Sequence, residues 1–231
     1  MSNRRRFALY FAPEDGTELA RFGWWWLARR PSHAEPGALP AVGLAPSDQA
    51  RVIAEPQRYG FHATLKAPFR LAVGAEPGAL HDAAADFAHM RRPFTEPPFA
   101  LKELHGFLAL RPGRPSRAIE DLAADCVRVF EPFRAPPTEA ERQRRLAAGL
   151  SDRQKELYEA WGYPYVFEQF RLHMTLTSAL PDAERAPLRD LLADLSAAAR
   201  AEPVEFRSLC LFEQAGPDLP FVLAARFPFG G

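Results

Sequence analysis

Cysteine is scarce: the 231-residue chain holds two, Cys126 and Cys210. They lie far apart and no C-x-x-C spacing accompanies them, which excludes the common structural zinc arrangements and a disulfide framework. Both are expected as buried thiols in a reducing compartment. Charge of one sign is lacking too, since 29 Lys and Arg balance 29 Asp and Glu. The electrostatic footprint of a protein that grips long nucleic acid is therefore missing. No apolar run approaches the roughly eighteen residues of a membrane span. The opening MSNRRRFALYFAP is basic but has no apolar stretch of signal-peptide length. A cytoplasmic protein with no membrane partner is expected.

What is present describes an ordinary packed protein, 47% hydrophobic and 25% charged. That length allows one sizeable core, or two small lobes sharing one, so residues 1–231 are expected to form a single domain. The oligomeric state is not legible, and a monomer is the expectation. Arginine greatly outnumbers lysine, which carries no functional meaning by itself.

Residues 6–13 (RFALYFAP) read as a strand with Phe7, Leu9 and Phe11 on one face. Residues 17–29 read as a helix, in which Trp24, Trp25 and Trp26 span too wide an arc to be wholly internal. Prolines and glycines without periodicity make 31–56 a long irregular connection. A strand follows at 60–69, a helix at 78–90, and a long strand at 99–110 bent at Gly106. Ile119, Leu122, Cys126 and Phe130 recur at helical spacing over 117–133. Thr138 with Glu141, and Ser151 with Gln154, match capping boxes, so about 135–162 is expected to be an inserted helical hairpin. Strand 171–178, a helix striped by Leu188, Leu191, Leu192 and Leu195, and strands at 202–214 and 221–229 complete an α+β order.

Within this order one pattern occurs twice. YGFHATLK (59–66) and FRLHMTLT (170–177) both carry His-x-Thr-Leu on a strand. Side chains alternate along a strand, so His62, Thr64 and Lys66 share one face, and so do Arg171, His173, Thr175 and Thr177. Two imidazoles suit phosphodiester cleavage because a pKa near 6.5 keeps both the acid and the base form available near neutrality. Threonine hydroxyls beside them suit the phosphate's non-bridging oxygens. Lys66 and Arg171 have the right parity to add positive charge, and Tyr10 lies on the polar side of the first strand, where it can orient a sugar or phosphate. His33, His81, His89 and His105 have no repeated context and are expected to be ordinary surface or packing residues.

On these blocks the chain resembles the two-histidine phosphoesterase superfamily, whose signature is two H-x-[S/T] motifs on strands of two pseudo-symmetric lobes. More narrowly, ALYFAP, YGFHATLKAPF and FRLHMTLT look like the uncharacterised branch often encoded with bacterial phosphonate-utilisation genes. The resemblance covers almost the whole chain. It implies a bilobal α+β fold with mixed or antiparallel sheets around a central cleft, helices outside, and activity on cyclic phosphodiesters or related phosphate esters. It carries His62 and His173 over as catalytic residues and Thr64 and Thr175 as phosphate-binding ones. The hairpin at 135–162 departs from the superfamily core.

The partner implied is a small phosphorylated substrate, without long nucleic acid. No H-E-x-x-H, H-x-E-x-H or paired carboxylates accompany either motif, so neither a metal nor another cofactor is expected. Three rivals stay open: a metal hydrolase, a non-catalytic sensor of nucleotide or sugar phosphate, and an enzyme that processes or ligates RNA ends.

Overall fold

Two apolar stripes, one on each side of a single strand, organise the molecule. That strand is β1 (Arg6–Phe11), five of whose six residues are buried. The structure, a computed structural model, describes residues 5–231. After β1 come α1 (Glu18–Trp26), α2 (Pro46–Tyr59), β2 (Ala63–Phe69), α3 (Pro77–His89), β3 (Phe94–Glu96), β4 (Ala100–Leu104), β5 (Phe107–Arg111) and α4 (Arg117–Val129). The second part holds α5 (Glu139–Leu146), α6 (Asp152–Trp161), β6 (Met174–Thr175), α7 (Asp182–Leu195), β7 (Val204–Phe206), β8 (Ser208–Gln214) and β9 (Val222–Pro228).

Seven strands form one sheet in the order β4-β5-β6-β2-β1-β8-β9, and β3 pairs with β7 apart from it. The pairings along both sheets are antiparallel. The α+β class read from the sequence is the class found. The strands carrying the repeated pattern, β2 and β6, lie side by side at the centre, where the two halves of the sheet meet.

Strand parity divides the sheet into two faces. Phe7, Leu9, Phe11, Ala63, Met174 and Leu211 belong to the main core. Ala8, Tyr10, Ala12, Cys210 and Phe212 form a smaller cluster with Phe221 on the other side, where the histidines sit. Burying each large apolar side chain contributes about 1.5–3 kcal/mol. Helix α1 starts at Thr17, whose side chain accepts from Ala20 N, and ends at Trp26. The buried Trp26 Nε1 donates to the carbonyl of Leu176 at 2.8 Å, pinning the chain just beyond the second motif. Gly23 permits the close approach of α1 to the first motif, since a Cβ there would lie 1.9 Å from the ring of Phe61.

Several elements differ from the sequence reading. Residues 31–56 are not wholly irregular, because α2 starts at Pro46 and buries Gln49, Val52, Ile53 and Pro56. The stretch 99–110 is a hairpin, β4 and β5, rather than one bent strand. Positive φ at His105 (46°) and Gly106 (86°) makes the tight turn that folds it back. Residues 202–214 divide into β7 and β8, which join different sheets. The second motif forms only a two-residue strand: beyond Thr175 the amides of Leu176 and Thr177 both donate to the Leu108 carbonyl. Leu108 N in turn donates to Thr177 Oγ1 at 3.0 Å, so Thr177 completes the ladder instead of facing a ligand.

The inserted hairpin is present as α5 and α6, each with its capping box formed. It docks through Leu157 and Val166 on Val127 of α4, and Arg70 holds Glu141 through two bonds of 2.6 and 2.8 Å.

Candidate active site

Ala63 pairs with Met174, and both side chains point into the main core. One step to either side, alternation turns four other side chains onto the opposite face. His62 lies across from Thr175, and Thr64 across from His173. The two His-Thr pairs thus form a diamond with near two-fold symmetry, its histidines at diagonal positions, which in such ladders are about 7–8 Å apart with their Cβ atoms somewhat closer.

Each ring is oriented in the same way. His62 Nδ1 donates to the Gly60 carbonyl at 2.8 Å, and His173 Nδ1 to the Arg171 carbonyl at 2.7 Å. A carbonyl only accepts, so Nδ1 carries the proton in both neutral rings and Nε2 keeps the lone pair. His62 Nε2 accepts from Thr64 Oγ1 at 3.2 Å. Gly60 aims its carbonyl from φ 79°, ψ 170°, a region essentially reserved for glycine. Behind that turn the buried Arg29 donates to the carbonyls of Gln57, Arg58, His33 and Phe221. Among the described residues it has no carboxylate partner, and burial pulls its pKa down to about 10.

Tyr10 stacks on His62 with ring centres 3.8 Å apart and planes at 24°. It is fully buried and so supports the imidazole from behind; contact with a sugar or phosphate, as read from the sequence, is not available to it. Burial lowers the pKa of His62 to about 4, with the nearby charges of His173 and Arg29 acting in the same direction. Burial also lowers that of His173, helped by Arg111 and His105. Both rings are therefore neutral in the free protein near neutrality.

A cavity of about 280 Å³ opens onto Thr64, Arg171 and His173. Its other walls include Phe107, Phe170, Tyr163 and Tyr165, the last two from the segment that leaves the inserted hairpin. Burial raises the Tyr163 pKa to about 12, so its hydroxyl stays a neutral donor. His62 meets the cavity through Thr64, and Thr175 sits half-buried on the same face. Arg171 stands exposed at the rim, donating to the carbonyls of Glu168 and Phe170.

Lys66 is a correction. Leu9 pairs with Lys66 but the next residue, Tyr10, pairs with Thr64, so β2 bulges at Leu65 and parity reverses. Lys66 consequently points away from the histidines. It is buried and bonds the Val127 carbonyl at 3.0 Å and Glu131 at 2.9 Å. Arg111, which the sequence did not single out, and His105, read there as an ordinary surface or packing residue, lie near His173 instead. Arg111 continues the register of Leu110 with Met174 and so lies across from His173. His105, at the tip of the β4-β5 turn, lines the cavity; only its hairpin position, hidden by the bent-strand reading, would have revealed it.

The family described as "Protein of unknown function (DUF1045)" matches residues 64–222. A protein named ribose 1,5-bisphosphate phosphokinase PhnN, from Janthinobacterium sp. (strain Marseille), is 38% identical over 98% of this chain and 51% of its own length. A protein of the same name from Laribacter hongkongensis (strain HLHK9) is 37% identical over 91% of this chain and 49% of its own. The chain thus spans about half the length of these curated relatives. Among solved structures, E. coli LigT complexed with 3′-AMP aligns over 98% of this chain and 99% of that one, with 12% identity and a TM-score of 0.41.

Proposed function

The chain belongs to the family described as a protein of unknown function, DUF1045, and for it we propose a phosphoesterase that opens a cyclic phosphodiester of a ribose phosphate or small nucleotide without a metal. The observation that supports this reading is the diamond: two imidazoles with the same Nδ1 anchoring hold diagonal places on one face of the sheet, with a threonine across from each. In the reaction one neutral Nε2 takes a proton from water as the water oxygen bonds to phosphorus. The other imidazole, protonated at Nε2, gives its proton to the alkoxide as the ring P–O bond breaks. A net proton exchange with solvent then resets the pair. Thr64, now donating to His62, can turn its proton to a non-bridging phosphate oxygen and so free the base.

The name borne by both curated relatives supports a phosphorylated ribose as the substrate class, and a place in phosphonate use agrees with the resemblance of the sequence blocks. Beside the aromatic neighbours of the rings, the Thr64 hydroxyl at His62 and the Arg111 guanidinium across from His173 supply donors suited to an anion. The test is a screen of 2′,3′-cyclic nucleotides, ribose cyclic phosphates and short RNA ends, with and without chelator. Turnover of a small cyclic diester that survives chelation is expected. Activity restored only by one divalent ion would overturn the metal-free step, and tight binding without turnover would favour a sensor.

The pH profile follows from the lowered pKa values. The productive free enzyme has one ring neutral and one protonated, a population that peaks between the two titration steps of the pair. Both steps lie below the ordinary histidine value, so kcat/KM should peak on the acid side of about 6.5. A bound phosphate anion favours imidazolium, which moves the kcat optimum upward. A kcat/KM that climbs steadily through alkaline pH would contradict this assignment.

A further inference from the structure

Beyond Phe170 and Arg171, which the two share as a common wall, a second hollow of about 490 Å³ adjoins the catalytic cavity. It lies where β5 ends and the loop Arg111-Pro112-Gly113-Arg114-Pro115-Ser116 turns into α4. Lys102, Arg111, Arg114 and Arg171 line it, with Glu120 as the one acid. Cations elsewhere are neutralised: Arg117, next to Ser116, pairs with Asp121, and Arg185, at the turn end of the β4-β5 hairpin, with Glu103 and Asp182. The four within have no ion pair among the described residues. Arg111 spends only its Nε on the Leu172 carbonyl, at 3.4 Å, and Arg171 bonds backbone carbonyls alone.

Four cations face one lining acid, Glu120, so they repel one another unless an anion joins them. Arg111 has its pKa lowered by burial and then by Arg171, which is the sign of that repulsion. Helix α4 adds to the same field. Its N-cap Ser116 and first-turn residues Ile119 and Glu120 line the hollow, and the end of a helix dipole there is positive. Pro112 and Pro115 limit the freedom of the loop, so holding Arg114 near a ligand costs less entropy. The basic hollow near the inserted hairpin is a weaker case, because Glu141 lines it, pairs with Arg70 there, and no lining residue is shared with the catalytic cavity.

We infer that this hollow is a second anion subsite, which holds a phosphomonoester of the substrate remote from the ester that is cleaved. The inference rests on the phosphoesterase reading of the neighbouring site. It narrows the substrate to compounds with two phosphates on one small scaffold: a cyclic diester between the imidazoles, and a terminal phosphate among Arg111, Arg114, Lys102 and Arg171. Guanidinium forks bind such a dianion with paired, charge-assisted hydrogen bonds.

The experiment compares substrates that differ only in the remote phosphate: a 2′,3′-cyclic nucleotide with and without a 5′-phosphate, and a ribose cyclic phosphate with and without a 5-phosphate. A preference in kcat/KM of about 10–100-fold for the phosphorylated member is expected from one or two such bonds. In Arg114→Ala that ratio should fall towards one, mainly through KM. In parallel, binding of ribose 5-phosphate is measured by calorimetry to the His62→Ala/His173→Ala protein, with and without Arg114→Ala. Weakening of about tenfold on loss of Arg114 supports the subsite even if no substrate is turned over, in which case only the catalytic reading falls. Equal kcat/KM for both members of each pair, or ribose 5-phosphate binding that ignores Arg114, overturns the subsite and leaves catalysis standing.

Discussion

In a steady-state assay on the best substrate of the screen, His62→Gln and His173→Gln each turn over about 10²–10⁴-fold more slowly than the parent protein, the range expected for loss of a positioned proton donor or acceptor. Glutamine is the informative choice at residue 62, since it keeps volume against the Tyr10 ring, whose centre lies 3.8 Å from that of the imidazole, whereas alanine would leave a gap. The two rings act as one unit, so the double variant should be scarcely slower than the worse single one. Both imidazoles are held neutral, and their removal strands no buried charge, so thermal melting should stay close to that of the parent. A single variant that keeps more than about a tenth of the parent turnover with its fold intact would remove that histidine from the proton-transfer role.

Glu131→Ala should lower stability by about 3–5 kcal/mol, because it leaves the Lys66 ammonium buried with the Val127 carbonyl as its remaining partner. For a chain of this length the fall in melting temperature is roughly 6–20 °C. Lys66→Met should cost less, since Glu131 keeps Arg134 at 2.6 Å. The double variant Lys66→Met/Glu131→Gln should recover part of the loss, as the ammonium and its carboxylate leave together while Arg134 keeps only a neutral partner at residue 131 and the Ala135 carbonyl. Turnover separates the structural role from the one that strand parity suggests. If Lys66→Met melts normally yet loses catalysis, while Glu131→Ala melts unchanged, Lys66 belongs to the phosphate site and the bulge has been given the wrong consequence.

The histidine-threonine pairs are legible in the sequence because a spacing of two survives any strand, even one as short as β6. Their adjacency is not legible, since nothing local records that β2 and β6 become neighbours across more than a hundred residues. Lys66 shows where parity arguments stop, because one extra residue at Leu65 reverses its face, and a second irregularity before Phe69 restores the original one. Helix α2 hides for a different reason. Its buried positions Gln49, Val52, Ile53 and Pro56 have helical spacing, but a glutamine and a proline among them blunt the apolar signal. Arg111 and the hollow around it arise from register between strands and from the turn into α4, and a list of charged residues along the chain does not mark them out. The capping boxes at Thr138 and Ser151 lie at the other extreme, because all their partners are within three residues.

The diamond at the centre of the sheet reads the same from either end, like a palindrome. On the proposed reading, left to itself it accepts a ring-shaped ester in two opposite poses, with either imidazole as the attacking side. The flanks differ, an aromatic floor beneath one histidine and a guanidinium beside the other. A change to those flanks that spares both histidines should therefore shift the ratio of products as well as the rate at which they form.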